Sequence, residues 1–277
     1  MKIPTFDFQS YFDEPVINIE VHQGGLTNEN FIVTTATNQY FFRRPKAELA
    51  DLFNRRNEAT ILKMVKNLDI DLPYIFFDES SGIKISHYYP NLLNYDQYQA
   101  DDKLQLVTFT LKKLHSLNQA CGFGFDYLKK LALYKRAGYL GFEKLENFSW
   151  LEVAYSEYQG ALTVCHNDCV NGNLLFDSQR NYLIDYEYAG DNYAIFDVTS
   201  FTTENDLDPL QRGQFYNLYY GSATASLTGD LQLFEKLHHY LWCHWALMMY
   251  AHEKNAIYYE IALNKYCQLT NYQTFIL

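Results

Sequence analysis

The segment Val164–Asp185, VCHNDCVNGNLLFDSQRNYLID, constrains the fold more than any other part of the chain. Two apolar runs, Leu174-Leu175-Phe176 and Tyr182-Leu183-Ile184, flank a turn at Asp177-Ser178 and are too short for helices. They predict a β-hairpin that brings Asn173 and Asp185 to the same end. Elsewhere beyond about residue 96, apolar residues recur at helical spacing: Leu104–Leu117, most of Tyr127–Tyr158, and Leu210 to the end. Before that point the pattern is β-rich. Val16–His22, Phe31–Thr35, Gln39–Arg43, Tyr74–Phe77 and Gly82–Tyr89 read as strands, with a turn at Gly24–Asn28 and one helix over Ala47–Leu68. The expectation is an α+β protein: a small β-rich N-terminal lobe, 1–88, before a larger, mainly helical lobe, 89–277. A length of 277 residues accommodates both.

Composition narrows the function classes. With 48% apolar and 20% charged residues the chain can bury a sizeable core, which excludes a wholly disordered or disulfide-stapled protein. A net charge of -11 makes it a poor nucleic-acid binder, because that affinity rests on neutralising phosphates. The five cysteines are scattered without a C-x-x-C pair and read as reduced thiols of a cytoplasmic protein. The N-terminal stretch MKIPTFDFQSYFDEP lacks the apolar region of a signal peptide. The most apolar stretch, Tyr240–Tyr250, is about half a membrane span, so no membrane insertion is expected. The 25 Tyr and 20 Phe are spread along the whole chain and read as a residue bias rather than a binding platform. Seven basic residues between Arg43 and Lys66 read as a solvated helix face.

The chemistry concentrates in the hairpin segment. His166-x-Asp168 is followed five residues later by Asn173, and the second apolar run ends in Asp185. Two oxygen donors side by side suit Mg²⁺, which keeps several waters and takes phosphates as further partners. A carboxylate at Asp168 can orient a substrate hydroxyl and accept its proton. This is the layout of a kinase catalytic loop, with Asp168, Asn173 and Asp185 as catalytic residues and the last two as metal ligands.

The pattern His166-Asn167-Asp168, Asn173, then Leu183-Ile184-Asp185-Tyr186-Glu187-Tyr188 and Phe196-Asp197, resembles the aminoglycoside phosphotransferase and choline kinase superfamily, most nearly choline kinases of the bacterial type. The resemblance covers most of the chain. It implies a two-lobed protein-kinase-like fold that uses ATP and Mg²⁺. It further implies that Gly24, Gly25, Thr27 and Asn28 form a phosphate-binding loop. Arg43 or Arg44 would grip the phosphates, Arg43 being favoured by similarity, with Glu58 as its acidic partner. Backbone groups around Ser86–Tyr88 would hold adenine. Leu114-His115-Ser116 matches a helical feature, with His115 as a structural hydrogen-bonder; His166 is read as ordering its loop.

The acceptor is what the resemblance implies, on two residues at helical spacing. Trp242 and Trp245 lie three residues apart, on one helix face. Tyr240-Leu241-Trp242-Cys243-His244-Trp245 resembles the L-W-x-x-W helix of choline kinases, whose aromatics line the choline pocket. A quaternary ammonium has no N–H to donate, and aromatic faces attract it at about 0.5–2 kcal/mol each. By the same resemblance Glu204 supplies a balancing carboxylate and Tyr258, or its neighbour Tyr259, completes the cage, while Ile261 stands where a family aromatic is expected. The expected reaction is ATP-dependent phosphorylation of choline, giving phosphocholine and ADP. The alternatives are a same-fold kinase for ethanolamine, thiamine or an aminoglycoside, or a non-catalytic nucleotide-binding protein.

Overall fold

The computed structural model describes residues 6–277; the first residues of the stretch read for a leader lie outside them. In chain order the elements are β1 (Val16–His22), β2 (Asn28–Thr35), β3 (Gln39–Pro45), α1 (Arg55–Val65), β4 (Tyr74–Phe77), β5 (Lys84–His87), β6 (Leu93–Asn94), α2 (Lys103–His115), α3 (Tyr127–Tyr134) and α4 (Trp150–Glu157). Then follow β7 (Leu162–Cys165), β8 (Leu174–Phe176), β9 (Asn181–Leu183), β10 (Gly190–Tyr193), α5 (Ala194–Glu204), α6 (Pro209–Tyr220), α7 (Thr228–Glu253) and α8 (Ala256–Thr270). The chain divides into two compact units. One runs through residue 106 and takes in 171–189; the other holds 107–170 and 190–277.

The first unit is built on an antiparallel five-stranded sheet of order β1-β2-β3-β5-β4. Its register pairs Phe31 with Phe42, and Phe42 with Ile85. Phe8, Phe31, Val33, Phe42, Ile83 and Ile85 form a buried apolar cluster against it; each such side chain contributes about 1.5–3 kcal/mol. Alternation along β3 then puts the two arginines on opposite sides of the strand. Arg44 stands with the aromatic cluster, its guanidinium 4.6 Å from the Phe6 ring and paired with Glu29. Arg43 falls on the opposite side of the strand and is buried.

One expectation fails here. The continuous helix expected over Ala47–Leu68 is a 3-10 turn at Ala47–Leu52 and a separate helix, α1. Asn54 makes the break: its backbone is extended, and its side chain accepts from the N–H groups of Arg56 and Asn57. The basic stretch is also not one solvated face. Lys63 is exposed and pairs with Glu79, but Arg43 and Arg55 are buried.

The same unit holds the small antiparallel sheet β6-β8-β9. Leu174 pairs with Leu183, and the Ile184 N–H donates to the Asn173 carbonyl at 2.9 Å. That bond closes the hairpin and sets residues 173 and 185 beside each other.

The second unit is helical around α7, a 26-residue helix that packs on α3, α5 and α8. β7 and β10 form a two-stranded antiparallel pair. The expected helix over Tyr127–Tyr158 is interrupted between α3 and α4, where the chain passes through Gly138 and Gly141. The five cysteines are free thiols. Among the described residues, no helix is long and apolar enough to cross a membrane.

Candidate active site

In the first unit, buried charges converge behind β3. Arg43 donates to Glu58 at 2.6 Å, to the Gly82 carbonyl at 3.1 Å, and to Asp185. Arg55 donates to Glu58 at 3.1 Å and to Glu187 at 3.2 Å. Two guanidinium groups thus meet three carboxylates. Burial alone would weaken the Arg43 charge, but Glu58, Asp185 and Glu187 hold it protonated. Glu187 carries the imbalance: burial, then the Asp185 charge, push its carboxyl up to about 7 against the pull of Arg43 and Arg55. Gly82 is required there, since a Cβ would lie 2.6 Å from the Arg55 side chain.

The turn between β1 and β2 is tied to this cluster. Thr27 donates its hydroxyl to Glu187 at 2.5 Å, and the Asn28 amide donates to the other Glu187 oxygen at 3.2 Å. Gly24 and Gly25 have φ of 123° and 86°, the left-handed region that a side chain resists. The Asn30 amide donates to the Gly24 carbonyl and lies where a Cβ on Gly25 would fall. The Asn28 amide nitrogen is 3.5 Å from Asp185, and the buried Asn28 Oδ1 has no hydrogen-bond partner. Asp185 itself sits at φ 67°. Asn173 and Asp185 offer hard oxygen donors, the kind that Mg²⁺ takes and a softer metal does not. Ser86 pairs with Phe41 and Tyr74, so β5 lies inside the sheet, and the Tyr88 N–H is committed to the Gln39 carbonyl.

The second unit carries the loop with Asp168. Asp197, fully buried at the start of α5, accepts from the backbone N–H groups of His166 (2.7 Å) and Asn167 (2.6 Å) and bonds His115 Nε2 at 3.0 Å. His115 Nδ1 in turn meets the Tyr219 hydroxyl at 2.6 Å. Burial would raise the Asp197 carboxyl; the His115 bond and the neighbouring N–H groups outweigh it and hold the group below its usual range. Asn167 adopts φ 68°, and its amide bonds the Cys165 carbonyl and Asn192. The Asp168 N–H donates to His166 Nδ1 at 3.3 Å. His166 therefore orders the loop as an acceptor. His115, Cys165 and Asp197 place donor atoms within 4.8 Å of one another. The carboxylate is spent on the loop and burial pushes the Cys165 thiol well up, so the cluster reads as a clasp.

The aromatic residues form a corner in the same unit. The Trp242 and Trp245 rings are 6.0 Å apart at 85°, and Trp245 and Tyr258 are 5.7 Å apart at 81°. Trp242 donates its indole N–H to His238 Nδ1 at 3.3 Å, while His238 Nε2 faces the Phe196 carbonyl at 2.8 Å. A carbonyl only accepts, so Nε2 carries the proton and Nδ1 is free to receive the indole. Tyr259 turns instead toward Phe142 and Tyr250. Glu204 is the last residue of α5. Its side chain is 10% exposed and pairs with Lys265 at 2.7 Å.

Arg55, Glu187, Asp197, His238 and Lys265 have no assigned part in the sequence reading. Arg55 stands three residues before Glu58, and Glu187 two after Asp185, which are the local signals. Lys265 has none, because its partner is on another helix.

The profile of the "Phosphotransferase enzyme family" matches residues 18–228. Protein LicA of Haemophilus influenzae is 24% identical over 249 residues, spanning 84% of this chain and 74% of that protein. Ethanolamine kinase 2 of Rattus norvegicus is 30% identical over 124 residues, 37% of this chain and 32% of that protein. Among solved structures, choline kinase LicA from Streptococcus pneumoniae aligns with a TM-score of 0.80 at 23% identity, covering 92% of each chain. At that identity the likeness is one of fold: the protein-kinase-like arrangement of a β-rich N-terminal lobe and a larger helical C-terminal lobe. With most of its length matched by the family profile and the fold shared, the chain belongs to the phosphotransferase enzyme family.

Proposed function

We propose that the protein is an ATP-dependent choline kinase, transferring the γ-phosphoryl group to the choline hydroxyl. The observation that carries the reading is the spacing of Asp168, Asn173 and Asp185 on a loop and hairpin whose backbones are both pinned. Asp168 accepts the hydroxyl proton as the oxygen attacks, and the clasp on Asp197 keeps its loop ready. Asn173 and Asp185 would hold Mg²⁺, which when bound neutralises phosphate charge. Arg43 is the phosphate-gripping residue and Glu58 its holder. The Gly24–Asn28 turn offers backbone N–H groups to phosphate oxygens. Adenine takes the backbone around Ser86–Tyr88; the Tyr88 carbonyl is the acceptor to test first, its N–H being committed. Trp242, Trp245 and Tyr258 take the trimethylammonium group, with Glu204 beside them. The lobes divide functionally at 88/89, and the protein works in the cytoplasm, where ATP and reduced thiols coexist, without nucleic-acid or membrane partners.

A second reading is ethanolamine kinase, favoured by the stretch 30% identical to Ethanolamine kinase 2. The test is ADP release by purified protein with Mg·ATP and choline, ethanolamine, thiamine or kanamycin. Choline-dependent turnover well above the others supports the proposal. Turnover with another acceptor keeps the phosphotransfer and removes the choline assignment; ATP binding with no turnover on any of them favours a non-catalytic protein.

A further inference from the structure

The acceptor residues raise a question of charge. Glu204 was expected to balance the acceptor's cation, yet its carboxylate is already joined to the Lys265 ammonium at 2.7 Å, both side chains about nine-tenths buried. Lys265 is held in place by a second bond, to the Thr203 carbonyl at 3.2 Å. The other polar groups of the corner are two indole N–H groups, that of Trp242 on His238 and that of Trp245 without a hydrogen-bond partner, and the Tyr258 hydroxyl, which donates to Glu253 at 3.2 Å. An indole N–H cannot accept from an ammonium, and what the two tryptophans and Tyr258 turn toward one another are ring faces and edges, successive pairs nearly perpendicular.

Such a corner treats two cations differently. A primary ammonium is strongly hydrated and carries three donors, so it loses heavily on burial unless carboxylates or carbonyls replace its water. A quaternary ammonium has no donors and little hydration to lose, and ring faces suffice for it. A free Glu204 would serve the primary amine; a Glu204 held by Lys265 does not. Resting on the amino-alcohol kinase reading, we propose that Lys265 is the specificity-determining residue of the acceptor site. By occupying Glu204 it leaves the cation to the aromatic faces and selects a quaternary over a primary ammonium.

The test compares kcat/KM for choline and for ethanolamine, with Mg·ATP, in the wild type, Lys265→Met, Lys265→Arg and the double variant Glu204→Gln/Lys265→Met. Lys265→Met frees the carboxylate and should raise the ethanolamine-to-choline ratio by about tenfold or more. Lys265→Arg restores the pair, and the double variant removes both charges; each should stay within about threefold of the wild-type ratio. An unmoved ratio in Lys265→Met overturns the proposal, as does loss of choline preference in the double variant. Should Lys265→Met fail to fold with its bared carboxylate, the double variant decides alone. A wild type that prefers ethanolamine overturns this inference and leaves the kinase reading standing. A wild type active on neither amino alcohol takes both readings down.

Discussion

Arg55 is a buried guanidinium with two carboxylates on it, Glu58 and Glu187. Breaking a buried ion pair on one side costs more than removing it whole, because the remaining charge is stranded. Arg55→Ala should therefore lose about 3–5 kcal/mol in urea unfolding, while Arg55→Met with Glu187→Gln should recover most of it; equal losses in both would remove the stranded-charge account. Asp168 makes the opposite demand. The loop's backbone is pinned through Asp197, so Asp168→Ala should keep nucleotide affinity and lower kcat by at least ~10². Steady-state kinetics with nucleotide titration would check both halves. The two residues also differ in how they announce themselves. Asp168 is legible from three positions in one segment. Arg55 and Glu187 meet across 132 positions, and their sequence neighbours Glu58 and Asp185 hint at a role without saying that the two are partners.

At the scale of the element, α7 stands out for three buried histidines that burial keeps neutral. It lowers His238 to about 3 and His244 to about 4, and holds His239 well below its usual value. Unfolding exposes imidazoles that bind protons below about 6.5, so the unfolded state gains up to three protons that the folded state refuses. The histidines' own share of stability should fall as pH drops from about 6.5, approaching a slope of about 4 kcal/mol per pH unit near pH 5, while Glu187, raised to about 7, acts in the opposite direction by about 1 kcal/mol per unit. His244 sharpens the test, because neither ring nitrogen has a hydrogen-bond partner and the ring packs edge-on against Tyr240. His244→Phe should raise stability at pH 7 by about 1 kcal/mol and reduce the histidines' share of the acid slope by roughly a third. Unfolding curves at several pH values measure both; an unchanged slope would place the histidines in water. Helical spacing marks α7 as a helix but not its titration, since partner and burial are tertiary facts. The break before α1 hid for the reverse reason: apolar residues continue on both sides of it, at Leu52, Phe53 and Ala59, and a single side chain at Asn54 makes the boundary.

Across the whole molecule the cysteines report on folding. Cys267 is exposed; Cys121 is half-buried, its thiol pushed up to about 11 by burial; Cys165, Cys169 and Cys243 are buried. Titration with a chromogenic disulfide near pH 8 should find one fast thiol, with three that react only as the chain unfolds. Three fast thiols in native buffer would contradict the packing of the helical unit. The overall order of strands and helices was readable because period two and period 3.6 occupy different stretches of the chain. What could not be read was affiliation: the hairpin at 171–189 lies in the helical part of the sequence but packs with the β-rich unit. The left-handed backbone at Asp185 has a consequence for anyone who evolves this protein in the laboratory. A non-glycine residue there costs about 1–2 kcal/mol, which the pair with buried Arg43 offsets, so a library screened for soluble expression alone should accumulate glycine at position 185 once Arg43 has also lost its charge. Selection that also demands turnover should refuse it, and the codon at that one position would tell the two regimes apart.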